Sequence, residues 1–366
     1  MKKLAIIGSS VGQIQLCQKA RLMSDVKTYG IAWDKDAICK ELVDQFVPIS
    51  IMEKEAIVDF CRNEGIDGIV SNASELTAIV VAYVAEKLGL PCTPYQLILN
   101  IQNKDYVRNQ TKSVEGLNQI QYKVLSFDEL NNIDQFPCVI KPTRGSAKKG
   151  VNFICRKADL DTLMIPNELK ALPFLCEEYI DGREVSVEVL SYKGKHLVVT
   201  ITDKKTSGPP HFVELSHTQP TTLSKEIESH IRNVVPKILT AVGFQNGASH
   251  IELKVTNDGR LYLIEINPRG GGDMISNRLV EMSTDFDYVK EMINVALDRF
   301  VDKPIHNVGF SGIYFICSQN SHILDFYNKH HNDSCVMDSE FDGAELRNAT
   351  TNYDRNGYVI VNKLIV

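Results

Sequence analysis

The chain has 366 residues, enough for two or three domains that each bury a hydrophobic core. Apolar residues make up 43% of it and charged residues 23%, as in an ordinary globular protein. The formal net charge of −6, together with the lack of a long basic run, predicts no nucleic-acid partner.

The sequence predicts neither a secretion signal nor a membrane segment. Its first apolar run stops well short of a signal-peptide core, and the apolar stretch 78–85 is far too short to span a bilayer. The nine cysteines show no Cys-x-x-Cys spacing, which is typical of reduced and mostly buried thiols. We therefore expect a cytoplasmic protein with no membrane partner.

The first hundred residues alternate short apolar runs with helical stretches. This alternation predicts βαβ units and a parallel sheet, forming an N-terminal α/β domain over residues 1–100. The turn at residues 8–12 lacks the third glycine of a dinucleotide fingerprint, so a tight turn and a ligand loop both remain open. The predicted strands are 4–7, 26–32, 46–48 and 68–70, and the predicted helices are 13–23, 54–63 and 75–88.

Residues 101–300 are predicted to form a second, larger domain, with a smaller unit at about 121–193. A connecting helix and loop over 100–119 leads into it, and a helix is predicted over 224–242. The tail, 301–366, returns to short strands with Asp-Gly and Asn-Gly turns, which predicts a small β-rich C-terminal region. The strands predicted in the smaller unit are 122–125, 138–141, 152–155, 175–179 and 184–190.

Residues 136–150 are predicted to form a buried strand that ends at Lys141, followed by a cationic loop. Its glycines let backbone N–H groups close around an anion, and Arg144, Lys148 and Lys149 add positive charge. This suits a triphosphate, although the Gly-Lys-Ser/Thr of a Walker loop is absent. A solvated surface loop is the alternative.

Residues 174–184 combine an apolar strand, two acids and a second, alternating strand. The backbone after Glu177 is a candidate for reading an adenine edge, and a carboxylate such as Glu184 can accept hydrogen bonds from ribose hydroxyls. Exposed hairpin acids are the alternative for this segment by itself.

The strongest functional signal is the segment 250–267. An Asp-Gly dipeptide at 258–259, between two runs of alternating apolar residues, predicts a hairpin. A two-residue turn there places Glu252 directly opposite Glu265, with Cβ atoms about 5 Å apart, where like charges repel. A cation between the two carboxylates would remove that repulsion.

The same register places His250 opposite Asn267. Strand alternation puts Asn267 on the face of Glu265, while Ile264 and Ile266 are predicted to point into a core. Two carboxylates and an amide oxygen form a hard oxygen site that suits Mg²⁺, with Mn²⁺ as a second candidate and two ions expected. A solvated polar face on an ordinary hairpin is the alternative that this segment alone leaves open.

The order of these motifs resembles that of the ATP-grasp enzymes. The resemblance covers about residues 104–278 and consists of a strand lysine with a glycine-rich loop, Glu-Glu-Tyr-Ile at 177–180 and Glu-Ile-Asn-Pro-Arg at 265–269. It implies an α/β chain with an ATP-grasp fold, comprising an N-terminal parallel-sheet (pre-ATP-grasp) domain, a lid subdomain and a C-terminal α+β region.

The resemblance also implies ATP and magnesium as cofactors. Glu252, Glu265 and Asn267 would hold the metal, and Arg108 competes with Lys104 as the first phosphate ligand. The implied ATP-binding residues are Lys104, Lys141, Ser146, Lys148, Glu177, Glu178, Tyr179, Ile180 and Glu184.

Within the family, residues 208–220 resemble the substrate segment of bacterial L-amino acid ligases, which make dipeptides. Glu214 and His217 match positions that contact the amino-acid substrate there, although a hydrogen-bonded loop histidine is an equally good interpretation of His217. The stretch 269–273 matches their oxyanion- and carboxylate-binding segment. The implied substrate residues are Glu214, His217, Arg269, Gly271, Gly272 and Arg278.

The implied chemistry is ligation of a carboxylate to an amine. A carboxylate oxygen attacks the γ-phosphate of ATP to give an acyl phosphate, and an amine then displaces phosphate. Lys141 and Arg269 are the expected catalytic residues, Arg269 by stabilising the oxyanion. We expect an acid–amino-acid ligase acting on small-molecule carboxylates and amines, with a homodimer as a candidate assembly.

Three other classes fit parts of the sequence. A carboxylase of the biotin-dependent type would explain every nucleotide residue but needs no amino-acid loop at Glu214 and His217. A non-catalytic ATP-binding module is a further alternative, and the intact metal residues and Arg269 count against it. An NAD-dependent dehydrogenase fails on the missing glycine of the first turn.

Overall fold

The computed structural model of the protein describes residues 1–145 and 149–365. Ser146 and Lys148, two of the implied ATP ligands, lie outside the described residues. Seven of the nine cysteines are buried, which confirms that prediction, while Cys92 is half-buried and Cys155 is exposed. Within the described part, no helix is both long and apolar enough to cross a membrane.

The N-terminal region folds into a four-stranded parallel sheet, as the alternating pattern predicts. The strands lie in the order β3-β2-β1-β4, and residues 4–7 of the central strand β1 are fully buried because helices cover the sheet. The elements are β1 (Lys2–Ile7), α1 (Ile14–Arg21), β2 (Val26–Ile31), β3 (Gln45–Val47), α2 (Lys54–Glu64), β4 (Gly68–Val70) and α3 (Glu75–Leu88).

Two short helices lead into a four-stranded antiparallel sheet with the order β5-β8-β6-β7. These strands match four of the five predicted in the unit at 121–193. The elements are α4 (Tyr95–Ile101), α5 (Lys104–Gln110), β5 (Tyr122–Leu125), β6 (Cys138–Pro142), β7 (Asn152–Ile154) and β8 (Phe174–Glu178).

The remaining strands form one eight-stranded antiparallel sheet, ordered β13-β12-β9-β10-β11-β14-β16-β15. The fifth strand predicted in the smaller unit is β9, and it pairs here with β10 and β12. The strands of the C-terminal tail extend the same sheet. The strands are β9 (Arg183–Tyr192), β10 (Lys195–Thr206), β11 (Glu214–Gln219), β12 (Gly247–Val255), β13 (Leu261–Asn267), β14 (Ser311–Ile316), β15 (Val336–Phe341) and β16 (Gly357–Val361).

Four helices accompany this sheet, and α6 shows why its apolar face is buried. Ser224 caps the helix by accepting a hydrogen bond from Ile227 N–H, and Gly243 ends it with a φ of 81°. The buried residues of α6 recur every three or four positions and pack against the valines of β9. The helices are α6 (Lys225–Val242), α7 (Val280–Ser283), α8 (Tyr288–Ala296) and α9 (His322–His330).

Candidate active site

The opposite face of the eight-stranded sheet is polar and carries the candidate site. In β9, Val185, Val187 and Val189 point to the core, so Glu184 and its alternating neighbours point the other way. Direct pairing across β10, β9, β12 and β13 arranges these residues in transverse rows, which we call the polar face. The rows are Lys204–Glu184–Lys254, Thr202–Ser186–Glu252–Glu265 and Thr200–Glu188–His250–Asn267.

The hairpin of β12 and β13 pairs Glu252 with Glu265, as predicted, but its predicted turn is wrong. The loop has three residues, 257–259, because Thr256 N–H donates to Arg260 O at 3.0 Å. The register shifts by one residue at a β-bulge next to Glu252. The longer loop and the bulge offset each other, so the register at the glutamates is the predicted one.

The bulge also corrects the predicted position of Ile264. This side chain lies on the wall of the cavity described next, beside Glu265, instead of pointing into the core. A bulge lets two consecutive residues approach the same side of a strand. Ile266 is buried in the core, as predicted.

A cavity of about 160 Å³ lies between the polar face and the antiparallel four-stranded sheet β5-β8-β6-β7. We call it the central cavity. It brings together residues predicted from separate segments of the sequence, namely the connecting helix, the strand lysine, the Glu-Glu-Tyr-Ile strand with Glu184, the substrate segment and the hairpin. The predicted residues that line it are Lys104, Lys141, Glu177, Glu178, Tyr179, Ile180, Glu184, Glu214, Glu252 and Glu265.

One end of the central cavity is cationic. Arg108 Nε and Lys141 Nζ lie 2.8 and 2.5 Å from the two carboxylate oxygens of Glu177, and all three side chains are buried. Burial raises the pKa of Glu177, but the charges of Arg108 and Lys141 outweigh it and lower the pKa to about 2. Two cations therefore share one carboxylate, and the surplus positive charge suits a polyphosphate.

The structure separates the two candidates for the first phosphate ligand. Lys104 lines the central cavity, with Nζ 2.9 Å from Glu265 Oε1 and 3.1 Å from Gly145 O. Arg108 uses Nε for Glu177 and another nitrogen for Ile264 O at 3.0 Å. Lys104 is thus placed between the glycine loop and the hairpin, whereas Arg108 braces the strands behind them.

The other end of the central cavity is aromatic and apolar. The Tyr179 ring lies 4.9 Å from Phe153 and 6.3 Å from Phe212, and Lys254 Nζ sits 4.7 Å from the Tyr179 ring centre. Lys254 also donates to Ile180 O at 2.9 Å. A flat base fits such a surface by stacking.

Backbone pairing limits which groups can bind an adenine edge. The N–H groups of Glu178 and Tyr179 donate to Gln121 O and Pro137 O, each at 3.0 Å. The Glu178 carboxylate accepts from the Gln121 N–H at 2.8 Å. The first two N–H groups after Glu177, in the backbone predicted to read an adenine edge, are therefore already paired within the protein.

The two hairpin glutamates have the chemistry of a magnesium site. Their side chains are 26% and 28% exposed, and both line the central cavity. Burial raises the pKa of Glu252, but the Lys204 charge and a hydrogen bond from His250 hold it well below its ordinary value. Asn267 is buried beside them, in the row next to theirs. Carboxylate oxygens on adjacent strands that line one cavity fit Mg²⁺.

No group of three or more His, Cys, Asp or Glu side chains among the described residues could hold a metal ion. The hairpin provides only two carboxylates, so an amide oxygen and substrate oxygens would complete the ligand set. This is the arrangement expected for Mg²⁺ bound together with a nucleotide.

Two charged residues of the site escape the sequence analysis. Lys204 Nζ bridges Glu214 Oε1 at 3.3 Å and Glu252 Oε1 at 2.9 Å, and these carboxylates raise its pKa although burial opposes them. Glu75, at the start of α3, has its pKa raised by burial and by the nearby charge of Glu265. The alternation of polar residues in β10 signals Lys204, but Glu75 meets the site only through the fold.

The substrate segment also reaches the central cavity. Glu214 is buried and lines it, and His217 Nε2 lies 3.4 Å from Asp273 Oδ2. Arg269 is half-buried and its guanidinium donates to Gly270 O at 3.0 Å. Arg278 lies on a turn of π-helix (Ile275–Leu279), near Tyr358.

The glycines after Arg269 differ in their surroundings. Gly271 N–H donates to Glu188 Oε2 at 2.9 Å, and a Cβ on Gly271 would lie 2.7 Å from Glu188 Oε1 and 2.9 Å from His250 Nδ1. A Cβ on Gly272 would meet nothing within 4 Å. Gly271 is therefore needed for close packing, and its N–H is already occupied.

Residues 134–278 match the family model described as the ATP-grasp domain, so the chain contains an ATP-grasp domain. Over 257 residues the chain is 26% identical to the alanine–anticapsin ligase of Bacillus subtilis (strain 168), covering 61% of this chain and 52% of that protein. The chain thus spans about half the length of this curated relative.

Solved structures extend the likeness to the whole chain. An L-amino acid ligase from Bacillus licheniformis superposes with a TM-score of 0.80 and 23% identity, covering 99% of this chain and 93% of that one. The biotin carboxylase domain of the Hydrogenobacter thermophilus 2-oxoglutarate carboxylase, solved with MgADP and bicarbonate, superposes with a TM-score of 0.74 and 19% identity. The superposition covers 99% of this chain and 86% of that one. The protein therefore has the predicted ATP-grasp fold.

Proposed function

We propose that this protein is an ATP-dependent carboxylate–amine ligase that activates a carboxylate, best an amino acid, as an acyl phosphate and joins it to an amine. One observation carries the proposal. The central cavity is lined at once by the cations Lys104 and Lys141, by the carboxylates Glu252 and Glu265, and by Glu214 of the substrate segment. A single cavity thus holds the parts for nucleotide, metal and amino acid.

The nucleotide is proposed to lie along the central cavity with its base near Tyr179 and its phosphates near Lys141. Glu184 is proposed to bind the ribose, since it lines the cavity and its Oε1 lies 3.5 Å from Lys254 Nζ, which contacts the Tyr179 ring. Lys104 is the proposed first phosphate ligand because its Nζ reaches Gly145 O of the glycine loop. Ser146 and Lys148 remain proposed ligands from the same loop.

Glu252, Glu265 and Asn267 are proposed to hold magnesium, with two ions expected and manganese as the alternative metal. When bound, the metal would offset the negative charge of the phosphoryl group in transit. Lys141 would add a second positive charge on the same side. Holding these charges in a buried site lowers the barrier, because little reorganisation is then needed.

The reaction needs two displacements. A carboxylate oxygen forms a bond to the γ-phosphorus as the bond to ADP breaks. The amine nitrogen then bonds to the acyl carbon, phosphate leaves, and the amine proton passes to solvent. Arg269 is proposed to stabilise the tetrahedral oxyanion that forms when the amine attacks the acyl carbon, before phosphate leaves. Glu214 supplies negative charge at the cavity that suits a substrate ammonium group.

The first test is ADP release in the presence of free amino acids, added singly and in pairs. Release that needs two amino acids, with a dipeptide found by mass spectrometry, would support ligation. Release stimulated by bicarbonate instead would favour the carboxylase alternative. ATP binding with no turnover under any of these conditions would leave a nucleotide-binding module.

The acyl phosphate can be tested by isotope transfer. With an ¹⁸O-labelled carboxylate substrate, one labelled oxygen should appear in inorganic phosphate, because the carboxylate oxygen is the atom that bonds to phosphorus. The measurement is phosphorus NMR or mass spectrometry of the released phosphate. Label in AMP, with pyrophosphate as a product, would contradict this mechanism and indicate an acyl adenylate.

We further propose small-molecule carboxylates and amines as the only substrates besides ATP, a cytoplasmic location, and a homodimer. The proposed domain limits are 1–100, 101–300 with a lid predicted at about 121–193, and 301–366. Because β9 pairs within the eight-stranded sheet, we propose a shorter lid than the predicted one, ending before β9.

A further inference from the structure

Arg355, from the C-terminal tail, reaches the predicted substrate residues. Its two terminal nitrogens donate to Asp273 Oδ2 at 3.0 Å and Oδ1 at 2.9 Å, and its Nε donates to Asn352 O at 2.7 Å. The Arg355 side chain is 13% exposed. All three guanidinium nitrogens are thus engaged, and the paired bonds fix the Asp273 carboxylate in one orientation.

Asp273 in turn contacts His217. Burial raises the pKa of Asp273, but the hydrogen bonds from His217 and Arg355 hold it far below its ordinary value. An ionised carboxylate only accepts hydrogen bonds, so His217 Nε2, 3.4 Å away, must carry the hydrogen. In neutral His217 the lone pair then lies on Nδ1.

His217 Nδ1 is buried and has no hydrogen-bond partner among the described residues. His217 pairs directly with Lys204, so both side chains lie on the same side of the sheet, and Lys204 contacts Glu252. Leaving a buried acceptor unpaired is unfavourable, because its hydrogen bond with water is lost without replacement. A donor from a bound molecule would remove that cost.

The surroundings hold this arrangement firmly. The Arg355 guanidinium lies 3.6 Å from the centre of the Phe315 ring, and Phe315 packs edge-to-face on His217 at 5.7 Å. Asp273 has a φ of 48°, a left-handed conformation that is unfavourable for a non-glycine residue. Its contacts with His217 and Arg355 offset this strain.

We propose that Arg355 is a positioning residue that, through Asp273, holds His217 in the tautomer whose Nδ1 accepts a hydrogen bond from the amine substrate. The identity of the donor rests on the proposed function, whereas the tautomer does not. The C-terminal tail would then be part of the substrate site. It also binds the neighbouring segment, since Asn352 Oδ1 accepts from Glu214 N–H at 3.0 Å.

The kinetic test compares Arg355→Gln with Arg355→Lys. Arg355→Gln should raise the KM for the amine about tenfold or more and leave the KM for ATP within about twofold, because only the amine contact is disturbed. Arg355→Lys keeps the charge but loses the paired hydrogen bonds, so its KM for the amine should lie between those of the wild type and Arg355→Gln. Arg347→Gln is the matched control, since Arg347 is exposed in the same tail and pairs with Asp342.

The tautomer is read directly by NMR of ¹⁵N-histidine-labelled protein, without turnover. In the wild type, Nδ1 of His217 should give the shift of an unprotonated ring nitrogen, and Arg355→Gln should give a mixture of tautomers. If Arg355→Gln does not fold, Asp273→Asn replaces it, because it removes the charge at nearly constant shape.

Two results would overturn the inference, whatever the outcome for the proposed function. One is a hydrogen on Nδ1 of His217 in the wild type. The other is an unchanged amine KM and an unchanged tautomer in folded Arg355→Gln. If no amino acid supports ADP release, the proposed function fails, while the NMR result still decides the tautomer.

Discussion

Glu265 lines the central cavity and lies directly opposite Glu252 in the hairpin. Its Oε1 is 2.9 Å from Lys104 Nζ. Replacing Glu265 by Gln removes one charge and leaves the shape unchanged. We expect Glu265→Gln to lower kcat by about 100-fold or more, since metal-held charge stabilises the phosphoryl transfer by several kcal/mol. The measurement is steady-state ADP release with saturating ATP.

Glu340→Gln is the matched control for this change, because Glu340 is exposed on the edge strand β15. It should leave kcat unchanged. Undiminished turnover in Glu265→Gln, or in wild type with excess chelator, would remove the metal site from the mechanism.

Lys141 makes ATP affinity depend on pH. Burial lowers its pKa, and the Arg108 and Lys104 charges lower it further against the opposing effect of Glu177. A bound triphosphate favours the charged form and so raises this pKa. Binding therefore takes up a proton, and affinity should fall by up to about tenfold per pH unit above the pKa of the free protein.

Calorimetric titration of ATP from about pH 8 upwards, where the triphosphate is fully ionised, measures this slope. Lys141→Arg is the control, because a guanidinium stays charged across the range and the slope should flatten. An equal slope in both proteins would assign the proton to another group.

At the scale of the secondary-structure element, the turn after β13 offers a matched pair of glycines. Gly271→Ala places a Cβ 2.7 Å from Glu188 and 2.9 Å from His250, whereas Gly272→Ala meets no atom within 4 Å. We expect Gly271→Ala to lose about 1–3 kcal/mol of folding free energy and at least about tenfold in kcat. Denaturant unfolding and ADP release measure the two effects.

Gly272→Ala should stay close to wild type in both measurements. If both variants behave alike, the packing of Gly271 against Glu188 does not limit the turn. A loss of activity without loss of stability in Gly271→Ala would instead place that contact in catalysis alone.

The elements of this protein were largely predictable, because period-two and helical patterns are local properties of the sequence. The hairpin shows the limit of such reasoning. Its register at Glu252 is correct only because the bulge at Ile264 offsets the third loop residue, and nothing in the local pattern signals that bulge. Side-chain patterns give the face of a strand, while small shifts in register depend on tertiary packing.

The site was predictable where its residues lie on one strand or in one loop. Lys204, Glu75 and Arg355 escaped because their partners are far away in the chain: Lys204 meets Glu252 across 48 positions and Arg355 meets Asp273 across 82. Contacts of this kind are set by the order of strands in the sheet, which a single sequence does not reveal.

At the scale of the whole molecule, nucleotide and metal should stabilise the fold together. ATP at about 100 times its Kd should add about 2.7 kcal/mol, which raises Tm by roughly 2–6 °C for a chain of this size. The shift should need magnesium, because the carboxylates of Glu252 and Glu265 would otherwise repel the phosphates. Differential scanning fluorimetry with ATP, with and without chelator, measures it. A shift of equal size in chelator would contradict this coupling.

The bulge in β13 has a consequence for how this hairpin can vary. The bulge separates the exposed tip of the hairpin from the two glutamates. The glutamates are fixed by strand pairing, since Glu252 pairs with β9 and with Glu265. If the 257–259 loop were shortened by one residue, the strand pairing between the tip and the bulge would shift by one position. The shift would stop at the bulge, where the pairing already changes by one residue. The tip can thus lengthen, shorten or acquire new contacts while Glu252 and Glu265 stay in place.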